Sequence, residues 1–359
     1  MARKTLIPFG PQHPVFPEPI QLRLVMEDEK VVEALPQIGY VHRGIEKIAE
    51  KKDFHQNAIL LERICGICSF IHSLSYCQGV EEIMGLQVPD RAKYLRVIWS
   101  ELHRIHSHLL WLGLLADSFG FENAFMQCWR TREAVLDIME KTAGARIMLG
   151  TCAIGGVKRD ISPELLAETL TTLDAMQKDF DGPIANIMAD YSVKQRLVGV
   201  GKLTAEQAHA TGAVGPVLKA CGVARDHRTT RYAAYGELDF APVTATGGDC
   251  YARAQVRVAE LTQSAQLIRQ AIGKLPQGPI SVPVKGNPSG ETISRTEQPR
   301  GEVIYYIKGD GTKNLQRLRV RTPTFANIPA LLTMLPGCQL ADVPVIVLSI
   351  DPCISCTER

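Results

Sequence analysis

Cys65-Gly66-Ile67-Cys68 and Cys353-Ile354-Ser355-Cys356 form two Cys-x-x-Cys pairs at opposite ends of a 359-residue chain. A two-residue spacer lets both thiolates of a pair turn to one metal, and two such pairs complete a four-sulfur site. By spacing alone, the set fits structural zinc first and a cubane iron–sulfur cluster second. Other features weigh against zinc. The pairs lie far apart, whereas zinc knuckles are local. Their flanks are apolar (Ile64, Ile67, Phe70, Ile71 and Val345–Ile350), which predicts a buried metal. Arg63, His72 and Asp351 crowd the same segments. A buried tetrathiolate among such groups suits a redox or catalytic metal better than a staple.

The elements that must position these residues read as mainly α. Composition is ordinary for a globular protein, 45% hydrophobic and 22% charged, and aromatics are sparse at 6%, which leaves a core of aliphatic residues. Formal charge is only +2 and the basic residues form no block, which argues against a nucleic-acid or anionic-membrane surface. The opening MARKTLIPFGPQHP reads as no signal peptide, and the most apolar runs, Leu109–Ala116 and Val343–Ile350, fall short of the ~20 residues that span a bilayer. Any membrane role is expected to come through partner subunits. The ten cysteines are read in a reducing compartment, where thiolate ligation is favoured over disulfides.

Ile20–Met26 alternates in strand fashion, turns at Glu27–Lys30 and returns through Val31–Leu35, a β-hairpin. From about Asp53 the period becomes helical: Arg91–Phe119, Asn123–Met148, Ser162 to about Asp179, Thr204–Thr211 and Ala252–Leu275. Pro276–Gly290 reads as loop. Val303–Ile307 and Leu315–Val320 make a second hairpin, Asn327–Leu335 a short helix, and the run before Asp351 is strand-like. The expected fold is a helical-bundle core with small β-hairpin elements near both ends. It divides into residues 1–52 (β-hairpin region), 53–290 (bundle) and 291–359 (hairpin and metal-binding end), within one compact domain.

Arg63-x-Cys65-Gly66-x-Cys68-x-x-x-His72, with Asp351-Pro352-Cys353-x-x-Cys356, resembles the two signature motifs of nickel–iron hydrogenase large subunits. A second likeness runs nearly end to end. Gly10-Pro11-Gln12-His13-Pro14, His42-Arg43-Gly44-Ile45-Glu46-Lys47, Ser100–Gly113, Thr142–Ile147, Ile154–Val157, Gly215–Arg228 and Gly247–Arg253 are similar to the quinone-site subunit of complex I. Together they resemble the energy-converting, Ech-type hydrogenases, and the four cysteines decide, because the quinone-reducing relatives lack this thiolate set. The resemblance implies a Ni–Fe(CN)2(CO) centre, with Cys65, Cys68, Cys353 and Cys356 on nickel and Cys68 and Cys356 bridging to iron. Soft thiolates suit a nickel that changes oxidation state.

The same resemblance gives roles to the supporting residues. Cys353 is the first base for the proton of H2, and Glu18 the carboxylate that carries it away, against the plainer reading of a surface carboxylate between prolines. Arg300 hangs over the metals, with Asp117 and Asp351 orienting it. Thr324 donates to a cyanide, and His72 donates to a bridging sulfur. Glu46 is a possible relay or ligand of an outer Mg or Fe site. Relatives complete that site with a C-terminal histidine, in whose place Thr357-Glu358-Arg359 stands here. His103, His106 and His108 read as packing or subunit-contact residues, and Cys77, Cys128, Cys152, Cys221, Cys250 and Cys338 as buried small hydrophobes.

No further cysteine set is available for a relay cluster. The expected partners are a small hydrogenase subunit with a 4Fe–4S cluster, a ferredoxin-like subunit, integral membrane ion-translocating subunits and ferredoxin as electron source. The expected place is the cytoplasmic face of the cell membrane. Two alternatives are a nickel-free quinone oxidoreductase subunit, in which His13 meets the quinone, and a zinc-binding assembly subunit.

Overall fold

The computed structural model describes residues 4–359, so the first three residues of the segment read as 1–52 lie outside it. A three-stranded antiparallel sheet comes first: β1 (Lys4–Phe9), β2 (Gln21–Glu27) and β3 (Lys30–Gln37), in that order. In β2 every second side chain, Leu22, Leu24 and Met26, is buried, the period-two pattern of a strand with one face inward. The expected hairpin is β2–β3. Strand β1 escaped the sequence reading because most of its side chains are exposed and no alternation marks it.

Helices α1 (Ile45–Lys51), α2 (Phe54–Glu62), α3 (Ser69–Ile83), α4 (Asp90–Asp117) and α5 (Glu122–Ala143) follow. Helix α3 is buried on nearly every face, which makes it a central rod and not a surface amphipath. Gly79 lets it press onto the C-terminal sheet, since a Cβ there would come within 2.6 Å of Ile307. Helix α4, about 42 Å long at 1.5 Å per residue, crosses the molecule and packs against α5 and α10. Its histidines are fully buried within the chain, so they pack and offer no subunit contact.

After the minimal pair β4 (Cys152–Ala153) and β5 (Gly156–Val157) come α6 (Pro163–Ala189), α7 (Tyr191–Leu197), α8 (Ala205–Ala210), α9 (Pro216–Lys219) and α10 (Cys250–Gly273). Ser162 caps α6 as its sequence predicts, but the helix runs on past Asp179, through Pro183, to Ala189. Leu173, Met176, Phe180 and Ile184 keep one buried stripe across that boundary, so packing overrides the Gly182-Pro183 breaker.

The second sheet is β6 (Ser289–Gln298), β7 (Gly301–Asp310) and β8 (Leu315–Arg321), again antiparallel and in chain order. The expected hairpin is β7–β8. Strand β6 is an addition, too polar to stand out, and its first residues fall in what reads as loop. Helices α11 (Pro323–Met334), α12 (Val343–Ser349) and α13 (Ile354–Thr357) close the chain. Helix α12 corrects the strand-like reading. All but one of its residues, Pro344, are buried, so the run carries no period, and its valines and isoleucine pointed to the wrong element. One connected hydrophobic core runs from Phe9 to Cys356 and includes all four motif cysteines. The architecture is mainly helical, with small sheets near the two ends.

Candidate metal centre

The first Cys-x-x-Cys occupies the link between α2 and α3, with Cys68 as the N-cap of α3, and the second forms the start of α13. In each motif a backbone N–H turns to the first sulfur: Ile67 N to Cys65 Sγ at 3.2 Å and Cys356 N to Cys353 Sγ at 3.3 Å. The two motifs meet in the core. Cys68 and Cys356 Sγ lie 3.5 Å apart, and Cys65 and Cys353 Sγ 3.3 Å apart. Cys65, Cys68 and Cys356 offer sulfurs all within 4.8 Å of one another, and Cys353 joins them through Cys65.

Hydrogen bonds from Cys353, Cys356 and Cys68 pull the Cys65 thiol well below its ordinary value, while burial pushes Cys68 and Cys356 well above theirs. Four thiolates cannot all ionise in so small a dry space unless a cation binds among them. The N-terminal end of α3 adds a favourable dipole at Cys68. The donor set therefore fits a soft metal held by all four sulfurs.

The turn between β6 and β7 carries Arg300, whose charge acts on the Cys65, Cys68 and Cys353 thiols. Its Nε donates to the Asp351 carbonyl at 2.9 Å and its Nη2 meets the Asp351 carboxylate at 2.8 Å, while Nη1 is buried without a partner. Asp351 holds a left-handed backbone, φ 56°, which an aspartate tolerates better than most residues and which turns the chain into the second motif. Gly215 makes the close approach of the turn possible. Its φ of 62° and ψ of −144° suit glycine alone, and a Cβ would sit 2.4 Å from the Arg300 carbonyl.

His72 lies one turn into α3, its ring 2.7 Å from the Tyr305 hydroxyl through Nδ1 and 3.4 Å from Cys356 Sγ through Nε2. Burial lowers its pKa to about 4 and raises that of Tyr305 well above the usual range. The neutral ring has one donor and one acceptor nitrogen, and in the tautomer whose Nδ1 accepts from the tyrosine, Nε2 donates to a Cys356 thiolate. Thr324 Oγ1 accepts from Cys353 N at 3.1 Å, which leaves the hydroxyl proton to donate elsewhere.

Glu18 is half-buried and caps the second motif. Its carboxylate accepts from Ser355 N at 3.0 Å, from Ile354 N and from the Ser355 hydroxyl. It is no free surface carboxylate.

Two residues read into the site do not reach it. Asp117 is exposed at the C-terminal end of α4, about 16 Å along the helix from His106, whose ring contacts Ile67 O behind the first motif. Arg300 is oriented by Asp351 instead. Arg63 is exposed as well. In its place Arg43, which carried no local signal beyond its resemblance block, donates to the carbonyls of Arg63 (3.0 Å), Ile64 (2.9 Å) and Ser355 (2.8 Å), and so binds the two motifs together.

Glu46 does not suit an outer metal. Its carboxylate accepts from Val320 N (2.9 Å), Arg319 Nη1 (2.9 Å) and Arg359 Nε (3.0 Å). Burial works to raise its pKa, yet these donors outweigh it and leave the group lowered. Two guanidinium groups already balance this carboxylate, and a third cation there would be repelled.

Of the other six cysteines, Cys221 and Cys338 are only half-buried and Cys128 is a buried small side chain, while the buried Cys77 and Cys152 thiols hydrogen-bond each other beside the Arg96–Glu81 pair and Cys250 accepts from Arg253 at 3.5 Å. His108, which has no carboxylate nearby in sequence, meets Glu260 of α10 at 2.8 Å. Among the described residues no helix is long and apolar enough to cross a membrane.

Residues 118–286 and 284–359 match the family described as respiratory-chain NADH dehydrogenase, 49 kDa subunit, and residues 43–116 match nickel-dependent hydrogenase. The chain is 42% identical to the carbon monoxide-induced hydrogenase of Rhodospirillum rubrum over 98% of its own length and 99% of that protein's. It is 35% identical to a subunit of the F420H2 dehydrogenase of Methanosarcina mazei, covering 100% and 98% of the two chains. A chain of the membrane-bound sulfane sulfur reductase, an archaeal respiratory membrane complex, superposes with a TM-score of 0.94 at 32% identity, over 99% of this chain and 98% of that one. With the thiol cluster and the fold in agreement with these matches, the chain belongs to the family that joins nickel-dependent hydrogenase large subunits with the 49 kDa subunit of respiratory NADH dehydrogenase.

Proposed function

We propose that this chain is the catalytic subunit of a membrane-associated, energy-converting nickel–iron hydrogenase of the Ech type. It reversibly reduces protons to H2 with ferredoxin-derived electrons, and partner subunits couple the reaction to ion movement. The observation that carries this reading is the meeting of four buried thiols, from opposite ends of the chain, in the charge field of the Arg300 guanidinium. Cys65, Cys68, Cys353 and Cys356 would hold nickel, and Cys68 and Cys356 iron as well. When bound, the Ni–Fe(CN)2(CO) centre supplies the soft redox metal that heterolysis of H2 requires.

The protein's own residues do the rest. Arg300, fixed by Asp351, holds a free donor and a positive charge that acts on the sulfurs. Thr324 offers a hydroxyl proton beside Cys353, and His72 steadies the Cys356 sulfur from behind. Cys353 takes the proton, and Glu18, hydrogen-bonded to the same turn, is the acceptor through which it leaves. Electrons come from a small subunit with a 4Fe–4S cluster, fed by a ferredoxin-like subunit. Integral membrane subunits hold the assembly at the cytoplasmic side of the membrane. The outer Mg or Fe site is left out, for the reason that Glu46 gives.

The match of most of the chain to the 49 kDa family favours a second reading, a nickel-free quinone oxidoreductase subunit. The deciding experiment is an infrared spectrum of the purified complex with nickel quantified on the same sample. Carbon monoxide and cyanide bands, nickel in the chain and hydrogen evolution with an artificial reductant are expected. Zinc in the site, or no metal and no diatomic bands, overturns the hydrogenase reading.

A further inference from the structure

The β6–β7 hairpin that brings Arg300 to the thiols carries a carboxylate pair immediately behind its turn. Glu297 and Glu302 face each other in the ladder, and both are buried. His227, in the tight turn His227–Thr230, lies against both. Its backbone N–H donates to Glu297 at 3.0 Å, and its ring Nε2 contacts the Glu302 carboxylate. Beyond Glu302 stand Arg321, at 2.7 Å, and Arg225, at 3.5 Å and more than half exposed, so the row ends at solvent.

The same short stretch gathers buried polar atoms with no hydrogen-bond partner: Oε1 of Glu297, both amide atoms of Gln298, Nη1 of Arg300 and Oδ2 of Asp351, with Nδ1 of His227 further out. Buried polar groups are nearly always paired, so such a concentration marks a place that takes up water or another hydrogen-bonding partner.

We propose that Glu297 is the proton-holding residue of a second proton route, which leads from the Arg300–Asp351 side of the pocket along the hairpin to His227, Glu302 and solvent. The proposal rests on the hydrogenase reading and adds to it an exit separate from Glu18. In the oxidising direction the Glu297 carboxylate accepts a proton released at the thiol pocket and becomes a carboxylic acid. It then gives the proton, through a bridging water, to Nδ1 of the His227 ring, which releases its Nε2 proton to Glu302. Glu302, held ionised by Arg321 and Arg225, passes that proton on to solvent, and rotation of the His227 ring restores the starting tautomer.

The surroundings suit that task. Lys219 of α9 lies 3.7 Å from Glu297, Arg104 of α4 donates to its backbone carbonyl at 2.9 Å, and Asp226 stands beside His227. Burial and Asp226 together raise the Glu297 pKa against the pull of Lys219, to about 7. A carboxyl poised there exchanges its proton at neutral pH. A purely structural ion pair would stay ionised.

The test has an infrared arm and a turnover arm. In the metal-free full chain, a carboxylic-acid absorption should titrate near neutral pH and be missing in E297Q. In the intact complex, E297Q should lower hydrogen turnover about tenfold or more and remove the neutral inflection from the pH profile, with nickel content unchanged. Should E297Q fail to fold, E297D answers the same question by shifting that inflection. Absence of the titrating carboxyl, or turnover and pH profile equal to wild type in the variant, overturns the proposal. The infrared arm needs no metal, so its result stands apart from the hydrogenase reading, which fails instead on wild-type complex without nickel or H2 activity.

Discussion

Arg300 meets Asp351 twice, through the carbonyl at 2.9 Å and the carboxylate at 2.8 Å, and that double contact fixes the orientation of a guanidinium whose charge acts on the thiols. A lysine keeps the charge but offers a point donor on a flexible stem and cannot reproduce the fork. R300K is therefore expected to lower hydrogen turnover about a hundredfold, the scale of a lost, preorganised donor. Nickel content should stay unchanged, since no sulfur is touched. Loss of nickel in R300K would make the arginine a structural clamp of the site instead. The residue types at the centre were legible in the sequence: four cysteines, an arginine, a histidine and a threonine within recognisable blocks. Tyr305 was not, because its part depends on a hydroxyl that meets His72 only once β7 lies against α3.

At the level of elements, the site is a junction. Helix α3 offers its N-terminal end, α13 presents the second motif, and the β6–β7 turn brings in Arg300. The turn sits where it does because Gly215, at the start of α9, has no side chain to hold it off. G215A is expected to destabilise the fold by at least about 1–3 kcal/mol, since the backbone there lies outside the range of L-residues and the methyl group also collides with Arg300 O. Denaturant unfolding of the metal-free chain measures this, and a stability equal to wild type would show that the turn can retreat at no cost. Helices α4 and α10 were readable from their periodicity. Helix α12 and strands β1 and β6 were not, because the first has no polar face and the other two no apolar alternation.

Over the whole molecule, the second motif is held by the tail that follows it. The Glu358 carboxylate accepts from Gly39 N (2.5 Å) and Val41 N (2.6 Å), and Arg359 reaches Glu46. Arg43 returns from the same loop to both motifs. A metal bound among the four sulfurs would add a cross-link between residues 65–68 and 353–356 that an unfolded chain lacks. Metal-loaded protein is therefore expected to be more stable than metal-free protein, by about 2.7 kcal/mol at a hundredfold excess over Kd. Hydrogen exchange in residues 351–359 should slow on loading. Equal stability and equal exchange with and without metal would mean that the sulfurs do not share one ion.

The sequence by itself determined the elements of the centre that are local. A two-residue spacer between cysteines, an N-cap serine ahead of α6 and alternation in β2 all act over a few residues, where backbone geometry leaves few choices. What only the tertiary structure decided is which charged groups meet. Arg63 and Asp117 lie close to the motifs or to their helices in sequence, yet both face solvent. Arg43 and Glu18 reach the second motif from more than 300 residues away in the chain, Glu46 is taken by Arg359, and His108 finds Glu260. A buried charge is stable only beside its partner, and the docking of whole elements, which no local pattern encodes, chooses that partner.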